Sequence, residues 1–138
     1  MLRYRLLHPD ILAALGAAGH GSQILIADGN YPFSSGSAAS ARRVFLNLAP
    51  DMLRVTDVLA VLADAIPIEA AHVMMPDDGP EPPIFAEFRT LLPGIALAHL
   101  GRFPFYESAR SPNLVLVIAT GERRIYANIL LTIGVVAP

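Results

Sequence analysis

Gly19-His20-Gly21-Ser22-Gln23-Ile24-Leu25-Ile26-Ala27-Asp28-Gly29-Asn30-Tyr31-Pro32 decides the fold class. From Gln23 to Ala27 the chain is a short apolar run without alternation of polar and apolar positions. It is too short for a helix and reads as a strand covered on both faces. Covering both faces takes helices on each side of a sheet, the α/β arrangement. Asp28-Gly29 then turns the chain out of the sheet. Strand ends of this kind are where open α/β sheets gather ligands.

Upstream, Pro9 and Asp10 suit the first turn of a helix, Pro9 by its fixed φ and Asp10 by its charge at the positive end of the dipole. Ile11, Leu12, Leu15 and Ala18 share one face, and Gly19 stands where a C-terminal cap belongs. That helix delivers His20 just past its end. Downstream, Tyr31–Ala41 is rich in Ser and Gly and reads as a loop. Val44, Leu46 and Leu48 alternate with Phe45 and Asn47, which predicts a strand. Val55, Leu59, Leu62 and Ile66 fall at helical spacing, and Pro67 ends that helix. Ala70–Met75 and Ile95–Leu100 read as strands, separated by a proline-rich loop at 76–83 and a short helix over Ile84–Leu91. A short helix over Pro104–Ala109 projects Arg102, Tyr106, Glu107 or Arg110. Leu114–Ala119 is the most strand-like run in the chain, Gly121-Glu122 begins a turn, and Tyr126–Ile133 returns as the last strand. That closing pair predicts a hairpin, so the sheet is mixed. The 138 residues read as one domain.

Composition removes several chemistries. All 10 basic residues are arginines, so a Schiff-base lysine and a P-loop lysine are excluded. There is no cysteine, hence no disulfide, thiolate nucleophile or zinc–thiolate site. The four histidines lack metal-type spacing, and no metal site is expected. A net charge of −2 gives no reason to expect nucleic acid or an anionic membrane as partner. No apolar run reaches the roughly 20 residues that span a bilayer. His8-Pro9-Asp10 breaks the N-terminal apolar stretch where a signal peptide needs continuity, so the expected location is the cytoplasm. With 54% hydrophobic and only 16% charged residues, some apolar surface is expected to be buried between subunits.

Few polar residues stand out against this background. His20 is flanked by glycines that permit close approach of a ligand; the bland reading is a turn histidine capping carbonyls. Asp28 is either an Asx-turn residue or a carboxylate that orients an imidazole or accepts ligand hydroxyls, and both can hold. Tyr126 and Asn128 are two apart and so face one side of the expected strand. A phenol and an amide side by side suit a polyhydroxyl ligand, since each donates and accepts. Arg102 lies among Phe103, Phe105 and Tyr106, where the bland reading is an arginine stem packed on aromatics. His8, His72 and His99 read as core or surface residues, and Glu107 and Glu122 as structural acids.

Ala18-Gly19-His20-Gly21, Ala27-Asp28-Gly29-Asn30-Tyr31-Pro32, Arg102-Phe103-Pro104-Phe105-Tyr106-Glu107, Gly121-Glu122, Tyr126-Ala127-Asn128-Ile129-Leu130-Leu131 and Gly134-Val135 occur in order along the chain. Together they resemble the fucose mutarotase / ribose pyranase family of small sugar-anomer isomerases, and most of all its fucose mutarotase branch. The turn after Asp28 departs from the family pattern, with Gly29-Asn30 in place of Ala-His. Thr132-Ile133 replace a basic pair.

The resemblance implies a three-layer α/β/α fold, a ring-shaped homo-oligomer (a decamer) and no cofactor. It implies His20 as catalytic acid/base, with Asp28, Arg102, Tyr126, Ala127 and Asn128 binding the sugar. The expected reaction is interconversion of the α and β anomers of a reducing monosaccharide, foremost L-fucose. The alternatives are D-ribose pyranase activity and a non-catalytic monosaccharide-binding module, which would not need His20.

Overall fold

A computed structural model describes residues 1–138. The elements run α1 (Pro9–Ala17), β1 (Gln23–Ala27), β2 (Arg42–Phe45), α2 (Val55–Ala65), β3 (Ile68–Met74), α3 (Ile84–Leu91), β4 (Leu97–Leu100), α4 (Arg102–Ala109), β5 (Leu114–Ala119) and β6 (Ile129–Ile133). One six-stranded sheet has the order β2-β5-β1-β6-β3-β4. β6 runs antiparallel to both its neighbours, while β2, β5 and β1, and likewise β3 and β4, pair in parallel. The sheet is therefore mixed, as expected, but its closing pair is no hairpin. β1 lies between β5 and β6.

Helices cover both faces, giving three layers. On one face Ile11 and Ala14 of α1, Val55, Leu59 and Leu62 of α2, and Phe85 and Phe88 of α3 pack on Ile24, Ile26, Leu116, Ile118, Ile129 and Leu131. On the other, Phe105 and Ala109 of α4 join Tyr31, Ala38 and Ala41 over Leu25, Ala27, Val117 and Leu130. Successive β1 side chains thus enter different cores, which is why Gln23–Ala27 shows no alternation. Leu59 and Leu62 are fully buried, and truncating a leucine so placed to alanine costs roughly 2–5 kcal/mol.

Several boundaries differ from the expected ones. α1 ends on Ala18 in an extended conformation rather than on a left-handed Gly19; the positive φ belongs to Gly21 (81°). β2 begins at Arg42 and stops at Phe45: Leu46 N–H makes the last bond to β5, at Ala119 O, and Leu48 N–H then turns back to Leu46 O and Met52 O. β6 begins only at Ile129, since Tyr126 is left-handed (φ 58°) and cannot belong to a strand. No helix is long and apolar enough to cross a membrane.

Candidate functional site

All strands but β6 run in one direction, so the C-terminal ends of β1, β3 and β4 meet the start of β6 at one edge of the sheet. A cavity of about 340 Å³ opens there. Asp28 enters it from the end of β1, Asn30 and Tyr31 from the following turn, and Met74 from the end of β3. Arg102 and Tyr106 come from α4, and Ile125, Tyr126 and Asn128 from the segment leading into β6. β6 separates β1 from β3, whose onward connections run to opposite sides, β1 to β2 and β3 to β4, which makes the crevice where open α/β sheets bind ligands. The volume suits one small molecule.

Asp28 is the hub. Only 3% of it is exposed. Its Oδ1 accepts the Asn30 N–H (2.9 Å), while Oδ2 accepts the Ala127 N–H (3.2 Å) and Asn128 Nδ2 (2.9 Å). Asn128 Oδ1 in return accepts the Asp28 N–H at 2.8 Å. Burial pushes the Asp28 carboxyl above the usual carboxylate range, and these donors only partly pull it back. The Asx-turn reading of Asp28 holds, and the same carboxylate lines the cavity. Ala127, fully buried, contributes its backbone N–H to Asp28.

Arg102 Nη2 donates to the Tyr126 hydroxyl at 2.9 Å, and the guanidinium lies 5.8 Å from the centre of the same ring. Arg102 is therefore more than a stem on aromatics. Because Tyr126 Oη accepts from Arg102, its own proton is free for a ligand oxygen. Tyr126 and Asn128 do converge on the cavity, but not by strand alternation. The left-handed turn at Tyr126 aims its ring, and the pairing with Asp28 aims the amide.

The segment that carries them is braced from below. Glu122, 1% exposed, accepts Arg124 Nε and Nη2, both at 2.9 Å, and Arg124 Nη1 reaches Glu87 on α3 at 2.5 Å. The Val55 N–H at the start of α2 also helps to hold the Glu122 carboxyl low. Burial pushes the Glu122 carboxyl up, but the Arg124 bonds and charge outweigh it and hold it below its ordinary value. The expectation of a structural acid holds.

His20 lies apart. It follows α1 at the opposite edge of the sheet from Asp28, separated by the five residues of β1, roughly 17 Å at 3.3 Å per residue. Asp28 therefore cannot orient the imidazole of its own chain. Glu69, at the start of β3, does so instead: His20 Nε2 lies 3.0 and 3.2 Å from its two carboxylate oxygens. In the tautomer that donates Nε2–H to Glu69, Nδ1 carries the lone pair, and the His20 side chain is exposed. Sequence reading missed Glu69 and gave Tyr31 and Tyr106 no ligand role. Helix and strand periods place each residue on its own element, but only strand order brings these elements together.

An α/β/α fold with a small polar cavity at its strand ends defines a protein built to hold a small hydroxyl-rich ligand. The RbsD / FucU transport protein family matches over residues 1–136. Human fucose mutarotase is 32% identical over 146 aligned positions, covering 96% of this chain and 91% of the relative. The D-ribose pyranase of Variovorax paradoxus is 33% identical and covers 98% of both chains. Among solved structures, the fucose mutarotase of Streptococcus pneumoniae in complex with L-fucose superposes with a TM-score of 0.85, at 26% identity, over 99% of this chain and 100% of that one. The chain belongs to the RbsD / FucU family.

Proposed function

We propose that the protein is a carbohydrate mutarotase that interconverts the α and β anomers of a reducing monosaccharide, with L-fucose the leading substrate. The whole chain, residues 1–138, forms one such domain. The observation that carries this reading is the cavity at the ends of β1, β3 and β4. In a chain alike over nearly its full length to fucose mutarotases, it gathers Asp28, Arg102, Tyr126 and Asn128. Arg102, Tyr126 and Asn128 supply donors and acceptors for sugar hydroxyls, while Met74, Tyr31 and Tyr106 offer apolar surface to a ring face.

Anomer exchange requires a proton on the ring oxygen and removal of one from the anomeric hydroxyl. The bond from C1 to the ring oxygen breaks, the aldehyde forms, and closure on its other face reverses both transfers. An imidazole gives and takes protons near neutral pH and serves either direction. His20, its Nε2 held by Glu69, presents Nδ1 for that work. The Tyr126 hydroxyl, with the Arg102 charge behind it, is placed to donate to a sugar oxygen.

His20 of one copy does not reach the cavity of the same chain, so its role requires a second copy that brings the His20–Glu69 pair to the cavity mouth. Ile125, which lines the cavity, and Phe103, whose ring meets Tyr106 of its wall at 6.3 Å, are 67% and 71% exposed and support coverage by a neighbour. The assembly is then a homo-oligomer, with the ring-shaped decamer implied by the family pattern as its expected form. The expected location is the cytoplasm.

Two readings compete. The likeness to a D-ribose pyranase favours ribose and pyranose–furanose exchange. The separation of His20 from the cavity favours a non-catalytic monosaccharide-binding module. Saturation-transfer NMR at the anomeric protons separates them. L-Fucose exchange accelerated by catalytic amounts of protein, with an unchanged α/β ratio, is the expected result. Acceleration of ribose alone selects the pyranase, and exchange equal to buffer for fucose, ribose and galactose rules out the mutarotase.

A further inference from the structure

The segment between β1 and β2 has no helix or strand of its own, yet it forms part of the cavity wall. Tyr31 lines the cavity and is 5% exposed. Its ring meets Tyr106, another wall residue, edge-on at 5.4 Å, and Phe105 at 6.2 Å. The Tyr31 hydroxyl is turned away from the ligand space and donates to Gly36 O at 2.6 Å. The chain closes tightly here: a Cβ on Gly36 would lie 2.8 Å from Pro32 Cγ and 3.2 Å from Tyr31 Cε1. The position of the Tyr31 ring is thus set by the path of residues 32–38.

That path is held by one side chain. Arg43, on edge strand β2, extends a half-buried guanidinium into the segment. Nε donates to Phe33 O (3.1 Å), and Nη1 to Ala41 O (3.0 Å) and Ala39 O (3.5 Å). Nη2 donates to Ser37 Oγ (2.9 Å), Ala38 O (3.0 Å) and Ser34 O (3.3 Å). All its partners are carbonyls or a hydroxyl; no carboxylate pairs with it. A guanidinium spreads five donors over a rigid fork, whereas an ammonium offers a point charge. Only the fork reaches acceptors at both ends of residues 33–41 at once.

We propose that Arg43 is a positioning residue for the sugar cavity: its carbonyl-bound guanidinium fixes residues 33–41 and through them the Tyr31 wall. This rests on the mutarotase reading. Arg43 touches neither sugar nor reacting atoms, so its loss weakens substrate binding and spares the proton transfers.

The test measures KM and kcat for anomer exchange, with thermal unfolding alongside, in Arg43→Lys, Tyr31→Phe and the double variant. Arg43→Gln, planar and neutral, replaces Arg43→Lys if the latter fails to fold. Expected for Arg43→Lys is a KM raised roughly three- to tenfold with kcat within about a factor of two. Tyr31→Phe cuts the same linkage at Gly36, so the double variant should have a KM close to that of the worse single variant. A wild-type KM in the folded Arg43 variant, a fall in kcat alone, or KM effects that multiply in the double variant would each overturn the proposal. If the wild-type protein neither binds nor exchanges any aldose, the mutarotase reading falls and takes this role with it. Exchange by wild type beside an unaffected Arg43 variant removes only Arg43.

Discussion

Asp28 answers to two opposed demands. Burial disfavours its charge, and donors from both sides of the cavity favour it; burial wins, and its pKa is raised above the ordinary 3.8. A carboxyl raised on folding contributes most to stability below its unfolded value, and that contribution is lost as pH rises through the folded one. The ionised carboxylate is thus a burden that the site accepts. Its hydrogen bonds explain why. The Asn30 N–H sits on one oxygen and the Ala127 N–H on the other. An amide at this position would turn an N–H against one of those donors in either orientation. Asp28→Asn should therefore destabilise the protein by roughly 1–3 kcal/mol despite removing a buried charge. Urea unfolding at pH 7 measures it. A midpoint at or above that of wild type would mean that relief of the charge outweighs the orphaned donor.

At the scale of elements, the segment 120–128 between β5 and β6 determines the site, and Glu122 anchors it. Its carboxyl is held below the ordinary 4.5 in the folded protein, chiefly by Arg124 working against burial. The sign follows: the stabilisation is complete above the unfolded value and disappears as pH falls through the lower folded one. Glu122→Gln should be clearly less stable than wild type at pH 7, and the gap should narrow below pH 4.5. Urea midpoints for both proteins across an acid series check this, and a gap constant with pH would take the charge out of the anchor. This segment also marks where sequence reading stops. Gly121-Glu122 and the apolar runs on either side look like a hairpin because periodicity reports element type and leaves partners unspecified. The connection instead passes over the end of β1, where the Gly29 N–H of the following turn donates to Glu122 O at 2.9 Å. The same limit covers Glu69 beside His20, a contact made by strand order alone. What was legible came from local chemistry: Pro9 and Asp10 starting α1, the double-faced run of β1, and the Asp28-Gly29 turn. The left-handed Tyr126 was not legible, since nothing in a tyrosine announces a positive φ.

For the whole molecule, the decisive feature is that a complete set of proposed groups never meets within one chain. Asp28, Arg102, Tyr126 and Asn128 gather at one sheet edge, and His20 with Glu69 stands at the other. If the site is shared between copies, two different lesions complement each other. His20→Gln removes the titratable ring, leaves the cavity intact, and should lower exchange by about 10²-fold or more while sugar binding survives. Arg102→Ala leaves His20 intact, removes a ligand donor and the support of Tyr126, and should mainly weaken binding. Neither residue belongs to the apolar core, so both variants should fold and assemble. In oligomers co-assembled from equal amounts of the two, a site takes His20 from one copy and the cavity from another. About one site in four should then carry neither lesion and recover wild-type exchange. A site contained in one chain predicts no recovery at any mixing ratio, because every chain carries a lesion. Anomer-exchange NMR on the mixed assembly, with its mass followed by light scattering, reads the difference. Recovery near a quarter of wild-type activity would establish the shared site. Mixed assemblies no more active than the average of the two parents would return the proton transfer to groups within a single chain, with Tyr126 the nearest to hand.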